Sequence, residues 1–126
     1  MQPFRNVDAW HKARELTLRI YTITESFPQA EAFGLSIQLR RLSANTPLRI
    51  AEGCGREDPA EFIKCLHQAR ATGVELEYLL LLARDLKFIE PAVPDVLQHQ
   101  LVEVRKMLSG FMKTLDAKKT SQTLRA

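Results

Sequence analysis

RRLSANTPLRIAEGCGREDP, running from Arg40 to Pro59, is the stretch around which the remainder of the chain is arranged. It contains Pro47, the one proline inside an otherwise helical pattern, a tight Gly53-Cys54-Gly55 break, a concentration of arginines, and the start signal of what the pattern makes the longest helix. Pro47 removes a backbone hydrogen bond, and because the apolar pattern resumes beyond it the expectation is a kink rather than an end. Gly53-Cys54-Gly55 should stop the helix, with glycine taking positive φ at little cost. Asp58 then reads as an N-cap, Pro59 as the first helical residue and Glu61 as the third member of a capping box. Two helices meet here, and the rest of the chain packs against their junction.

Downstream, the pattern predicts a helix from Pro59 to about Lys87, about 40 Å long at 1.5 Å per residue. Phe62, Leu66, Ala69, Gly73, Leu76, Leu80 and Ala83 alternate at spacings of four and three, and Ala69, Ala71 and Gly73 are small enough to let a neighbouring helix approach closely. From Leu76 to Leu86 the helix is apolar right round, and such a helix is buried on all sides. In a four-helix monomer one side would face water, so Tyr78, Leu79, Leu81, Leu82 and Leu86 are predicted to lie in a subunit interface. Pro94-Asp95 opens a last helix running to about Lys118 on the seam Val93, Leu97, Leu101, Val104, Leu108, Phe111 and Leu115. Residues 119–126 read as a frayed, flexible basic tail.

Upstream, a helix starting between Ala30 and Phe33 carries the seam Leu35, Leu39, Leu42, Thr46 and Ile50. A first helix, from Asn6 or Val7 to Ser26, carries Trp10, Ala13, Leu16, Ile20, Ile23 and Phe27 on one stripe. Its opposite stripe, Arg5, Asp8, Lys12, Glu15 and Arg19, has mixed charge and reads as solvated. Four helices with short connections predict an all-α, antiparallel up-down-up-down four-helix bundle spanning residues 1–118, followed by the tail.

At 126 residues the chain can bury a core without disulfide or metal staples, and 45% apolar with 26% charged residues is globular composition. No apolar run is long enough for a membrane span, and Met1-Gln2-Pro3-Phe4-Arg5 lacks the apolar core of a signal peptide, so a cytoplasmic protein is expected. Cys54 and Cys65 have no ligand-like spacing and are expected as reduced thiols. Three of the 18 basic residues, Lys118, Lys119 and Arg125, follow Asp116, so the preceding 15 balance the 15 acids and a global basic field is absent.

Local clusters therefore carry any functional reading. Gln38, Arg41, Asn45, Arg49, Glu52 and Arg56 fall three or four apart and form a polar ribbon along the second helix. The ribbon is either a solvated face with incidental salt bridges or a surface touching phosphate or another subunit, since guanidinium forks pair bidentately with phosphate and carboxylate. Glu52, Glu75 and Glu77 are candidates for chemistry, but Glu75 and Glu77 lie two apart and face different ways. A structural network is expected instead, with Glu52 or Glu75 bridging Arg56 and Arg41 across the second and third helices, within one chain or between subunits. Asp95, His99 and Glu103 share a helix face opposite the seam and read as an exposed row. No Glu-x-x-His pair of a di-iron bundle occurs. Cys54 has no histidine arranged to activate it. No catalytic residue, metal site or cofactor is predicted.

Gln38-Leu39-Arg40-Arg41, the run Ile50-Ala51-Glu52-Gly53-Cys54-Gly55-Arg56, and Ala71-Thr72-Gly73-Val74-Glu75-Leu76-Glu77 with the leucines after it resemble the bacterial four helix bundle protein family. That family includes proteins encoded in intervening sequences of large-subunit ribosomal RNA genes. The chain is also similar to the accessory variability determinant of diversity-generating retroelements. The resemblance spans Phe4 to about Phe111 and implies a barrel-shaped homopentamer with a central pore, no known catalysis, and nucleic-acid binding at least in the retroelement branch. Where the family commonly has serine and proline before Asn-Ile-Ala-Glu-Gly, this chain has Asn45-Thr46-Pro47-Leu48-Arg49, and Arg49 adds charge to the ribbon. Two functions follow as expectations. One is a nucleic-acid-binding accessory protein that contacts RNA or DNA phosphates through Arg40, Arg41, Arg49 and Arg56, helped by Lys12 and Arg14. The other is an interaction hub whose rim or pore binds a partner protein such as a reverse transcriptase.

Overall fold

The computed structural model describes residues 2–31 and 34–125, with side chains as far as residue 121. Among the described residues it is all-α, with four helices: α1 Asp8–Thr24, α2 Leu35–Cys54, α3 Pro59–Asp85 and α4 Val93–Arg125. Short 3-10 turns at Phe4–Asn6 and Gln29–Glu31 precede α1 and α2. Part of the region expected to start the second helix, residues 32 and 33, lies outside the described residues. Ala30 belongs to a 3-10 turn, and α2 begins at Leu35.

α1 packs on α2, α2 on α3, α3 on α4 and α4 on α1, with no diagonal helix pair in close backbone contact among the described residues. One apolar cluster joins the start of α1 (Ala9, Ala13), the end of α2 (Ile50, Cys54), the start of α3 (Phe62, Leu66) and the later part of α4 (Leu108, Met112). A second joins the opposite ends, through Leu16 and Ile20, Leu35 and Leu39, Leu76 and Leu80, and Leu97 and Leu101. Alternate helices therefore run in opposite directions, as the sequence predicts. The bundle is secured by seams of leucine, isoleucine and phenylalanine, each worth about 1.5 to 3 kcal/mol when buried.

Between the two clusters the core changes character. Ser43 and Thr46 are buried on α2, and Thr46 Oγ1 lies 2.8 Å from Thr72 Oγ1 of α3. Thr46 Oγ1 also reaches the Leu42 carbonyl at 3.3 Å and Thr72 Oγ1 the Ala69 carbonyl at 2.7 Å, so each hydroxyl has an acceptor in its own helix besides its partner across the gap. On the other side, Thr17 Oγ1 of α1 donates to the Ser43 carbonyl at 2.7 Å. That carbonyl lies four residues before Pro47 and is the one an interior proline leaves without its N–H. α2 consequently continues through Pro47 to Cys54, its orphaned acceptor satisfied by a neighbouring helix.

Several local expectations are corrected. No described glycine has positive φ. Gly53 lies inside α2, buried, and a Cβ there would sit 2.8 Å from Phe62 Cδ1 and 3.0 Å from Cys65 Cβ. Close helix approach, not a left-handed turn, is what this glycine provides. Gly73 does not have that role, because its Cβ would meet only Leu101 Cδ2 at 3.8 Å. Ala71 is exposed. α4, with 33 residues against 27 in α3, is the longest helix, and it passes Lys118 to reach Arg125, so residues 119–125 are helical. The Asp58 cap forms, its Oδ1 accepting from the Ala60 N–H at 3.0 Å, while Glu61 stays exposed.

Lys87 is the described non-glycine residue with positive φ, at 64°. It ends α3 in a Schellman arrangement, with Phe88 N–H bonding the Ala83 carbonyl at 2.9 Å and Lys87 N–H bonding that of Arg84 at 2.9 Å. Glycine is the usual residue here because a side chain in this conformation costs about 1 to 2 kcal/mol. Lys87→Gly is expected to raise stability by about 1 kcal/mol in urea denaturation, since relief of that strain exceeds the added freedom of the unfolded chain.

Candidate nucleic-acid interface

From Leu35 to Ala51, α2 carries no carboxylate and three arginines, Arg40, Arg41 and Arg49. Arg40 turns towards α1. Its Nε donates to Thr24 Oγ1 at 2.7 Å, its Nη2 reaches the Tyr21 carbonyl at 3.4 Å, and its Cζ lies 4.9 Å from the Tyr21 ring centroid. These partners are neutral, and the carbonyl end of α1 favours a cation at that position. Arg40 is thus held by neutral partners and is not paired with an acid among the described residues. Arg41 on α2 and Arg14 on α1 are exposed, and neither joins an ion pair among the described residues. Tyr21 is 43% exposed beside the Arg40 guanidinium.

The remaining predicted cations are placed differently. Glu52 accepts from Arg49 Nη1 at 2.9 Å and from Arg56 Nη2 at 3.3 Å, so the ribbon's lower half is a guanidinium–carboxylate–guanidinium cluster with one positive charge in excess. The hydrogen bond from Arg49, then that from Arg56, hold the Glu52 carboxyl below its ordinary 4.5. Since the folded value is the lower one, the stabilisation is present above about pH 4.5 and is lost as acid drives the pH through the folded value. The bond to Glu52 likewise raises Arg56. Lys12 Nζ meets Glu103 Oε1 of α4 at 3.4 Å, an exposed pair of the kind worth little.

The Glu52–Arg56 pair of the expected network forms, but within one helix and its extension rather than across α2 and α3 of this chain. Glu52 binds arginines of its own helix and its immediate C-terminal extension, Glu77 accepts from Gln98 Nε2 of α4 at 2.9 Å, and Glu75 is exposed without an ion pair among the described residues. Arg41 joins none of these groups. Of the predicted interface residues, Tyr78 and Leu86 are exposed, whereas Leu79, Leu81 and Leu82 are half-buried, with Leu79 and Leu82 packed against the core. Asp95 and His99 are exposed, and no cluster of three or more metal-ligating side chains exists among the described residues. Burial pushes the Cys54 thiol up, which disfavours the thiolate. Among the described residues, no helix is long and apolar enough to cross a membrane.

Sequence reasoning missed the Tyr21–Arg40–Thr24 clamp. Tyr21 and Thr24 are three apart beside the α1 seam, which places them on one face, but nothing in their spacing names a partner sixteen or more residues away. A search of the curated proteins finds no match for the chain. The family model described as 23S rRNA-intervening sequence protein matches residues 5–110, from the turn before α1 to the later part of α4, including all of α2 with its arginines and Gly53. The chain therefore belongs to the 23S rRNA-intervening sequence protein family.

Proposed function

We propose that this chain is a non-enzymatic RNA-binding accessory protein whose contact surface is the outward side of α1 and α2, with Arg14, Arg40 and Arg41 meeting phosphates and Tyr21 offering a stacking face. The carrying observation is the stretch of α2 from Leu35 to Ala51, which has three arginines and no carboxylate. The RNA-related family description supports the choice of ligand. Guanidinium forks suit phosphate, and exposed aromatic rings beside arginine suit unstacked bases. Arg49 and Arg56 contribute the excess charge of their cluster with Glu52, and Lys12 can leave its weak pair with Glu103.

The test is fluorescence anisotropy of a labelled structured RNA, with duplex DNA alongside, at two salt concentrations. Affinity should fall steeply with salt, and Arg14→Gln with Arg41→Gln should flatten the salt slope by about 2, one for each phosphate contact removed. Salt-insensitive or absent RNA binding would overturn the reading. Tighter binding to the duplex DNA would move the ligand to DNA.

Self-association belongs to the same proposal. Tyr78 is 63% exposed and Val74, one turn before it on α3, is 55% exposed, and neighbouring exposed apolar side chains of this kind are favoured as a contact between copies. The pentamer implied by the family resemblance is the stoichiometry we adopt. If RNA binding fails, exposed Val74 and Tyr78 favour the other reading, an assembly that holds a partner protein at its rim or pore.

A further inference from the structure

Where the chain turns from α1 to α2, the two helices border an open pocket of about 460 Å³, a volume typical of small-ligand sites. Phe27, Pro28 and Ile37 are its apolar walls, and Glu25, Gln29 and Ser36 line it with polar groups. Thr24 and Arg40, joined by the bond from Nε to Oγ1, line it as well. The pocket therefore adjoins the arginine face. Three of its polar side chains have no partner among the described residues. Ser36 is only 7% exposed, yet its hydroxyl makes no hydrogen bond there, whereas buried hydroxyls are normally bonded. Glu25 caps the carbonyl end of α1, where a carboxylate is disfavoured, and no cation offsets it. Not even Arg40, on the same pocket, pairs with it. The Gln29 amide is likewise unbonded.

We propose that this pocket receives an unpaired guanine of the bound RNA, with the Glu25 carboxylate on its Watson–Crick edge and the Gln29 amide and Ser36 hydroxyl donating to its O6 and N7. The proposal rests on the RNA-binding reading above and names the base that the same face selects. A carboxylate has two acceptor oxygens and no donor. Guanine, alone among the four bases of RNA, sets two adjacent N–H donors, from its ring N1 and its amino group, on one edge. Adenine and cytosine set a lone-pair ring nitrogen beside their amino group, and uracil flanks its N–H with carbonyls, so each turns an acceptor towards one carboxylate oxygen. The other edge of guanine carries only acceptors, O6 and N7, which suit an amide N–H and a hydroxyl. Within a duplex the Watson–Crick edge is already paired, so the base must come from a loop or bulge. Phe27, Pro28 and Ile37 supply apolar surface for its faces, and Arg40 remains beside the pocket for the adjoining phosphate.

The experiment is anisotropy with four labelled RNA hairpins that differ only in one unpaired loop base, at a fixed salt concentration, with circular dichroism to verify that each variant is folded. The guanine hairpin should bind about tenfold or more tighter than the other three. Replacing that guanine by inosine, which lacks the amino group, should remove most of the advantage. Glu25→Gln should abolish the preference while leaving affinity for the adenine, cytosine and uracil hairpins equal or slightly higher, since a negative charge is lost. A carboxylate that acted only through its charge would shift all four hairpins together. Equal affinities for the four on wild-type protein, or a guanine preference that survives Glu25→Gln, would overturn the guanine pocket while a steep salt dependence kept the RNA reading. Guanosine monophosphate competing as effectively as the guanine hairpin would overturn RNA as the source of the base. Failure to bind any hairpin at low salt would overturn both readings.

Discussion

Gly53→Val should cost about 3 kcal/mol or more, and Gly53→Ala about 1 to 2 kcal/mol, in equilibrium denaturation. The sign is not obvious, since alanine is the better helix former by about 1 kcal/mol and Gly53 lies inside α2. Geometry decides. The new Cβ would press on the Phe62 ring at 2.8 and 3.1 Å and on Cys65 Cβ at 3.0 Å, and the ring cannot easily retreat because it packs against Phe111 with centroids 5.0 Å apart. Valine adds two more atoms to the same place. Gly73→Ala is the internal control: with its nearest neighbour at 3.8 Å it should gain helix propensity and stabilise by about 1 kcal/mol. If both alanine variants stabilise, close approach is not what Gly53 provides.

Thr17→Val should cost about 1 to 3 kcal/mol, because it removes the donor at 2.7 Å from the Ser43 carbonyl and leaves that carbonyl without a replacement in the core. The cause can be isolated by a double-mutant cycle. Pro47→Ala restores an N–H four residues after Ser43, so the carbonyl regains a partner within its own helix. In that background Thr17→Val should cost at least 1 kcal/mol less, while Pro47→Ala by itself carries whatever packing the buried ring supplies. Equal costs in the two backgrounds would mean that Thr17 acts through its bond to the Ala13 carbonyl, at 3.1 Å, and not through α2.

These two positions mark how far the sequence could be read. Helix order, antiparallel alternation and nearly every buried seam residue follow from periodicity, because spacings of three and four determine which side of a helix is apolar. The mistakes arise where a residue serves a partner distant in sequence. Gly53-Cys54-Gly55 does end α2, but the positive φ expected there is absent, and Gly53 is explained by Phe62 and Cys65 on the next helix. Pro47 leaves the helix running on, as its resumed apolar pattern suggests, but the donor that replaces its missing N–H is Thr17 on the preceding helix. The arginine ribbon was legible as a stripe, but its division was not: Arg49 and Arg56 converge on Glu52, while Arg40 turns to Tyr21 and Thr24. α4 extends beyond the last seam leucine because nothing in residues 119–125 breaks a helix, although nothing there resembles a core either.

The hydroxyl-bearing residues at the middle of the bundle have one more consequence. Leucine seams hold helices together but discriminate poorly between alignments, since sliding one helix along another by a turn exchanges one leucine for the next. The bonds from Thr17 to Ser43 and between Thr46 and Thr72 have no such equivalents one turn away. A slipped helix would leave the Ser43 carbonyl facing hydrocarbon. The layer therefore acts as a lengthwise lock: it adds little cohesion, but it sets α1, α2 and α3 at a single offset, the one at which Arg40 meets Tyr21 and Thr24.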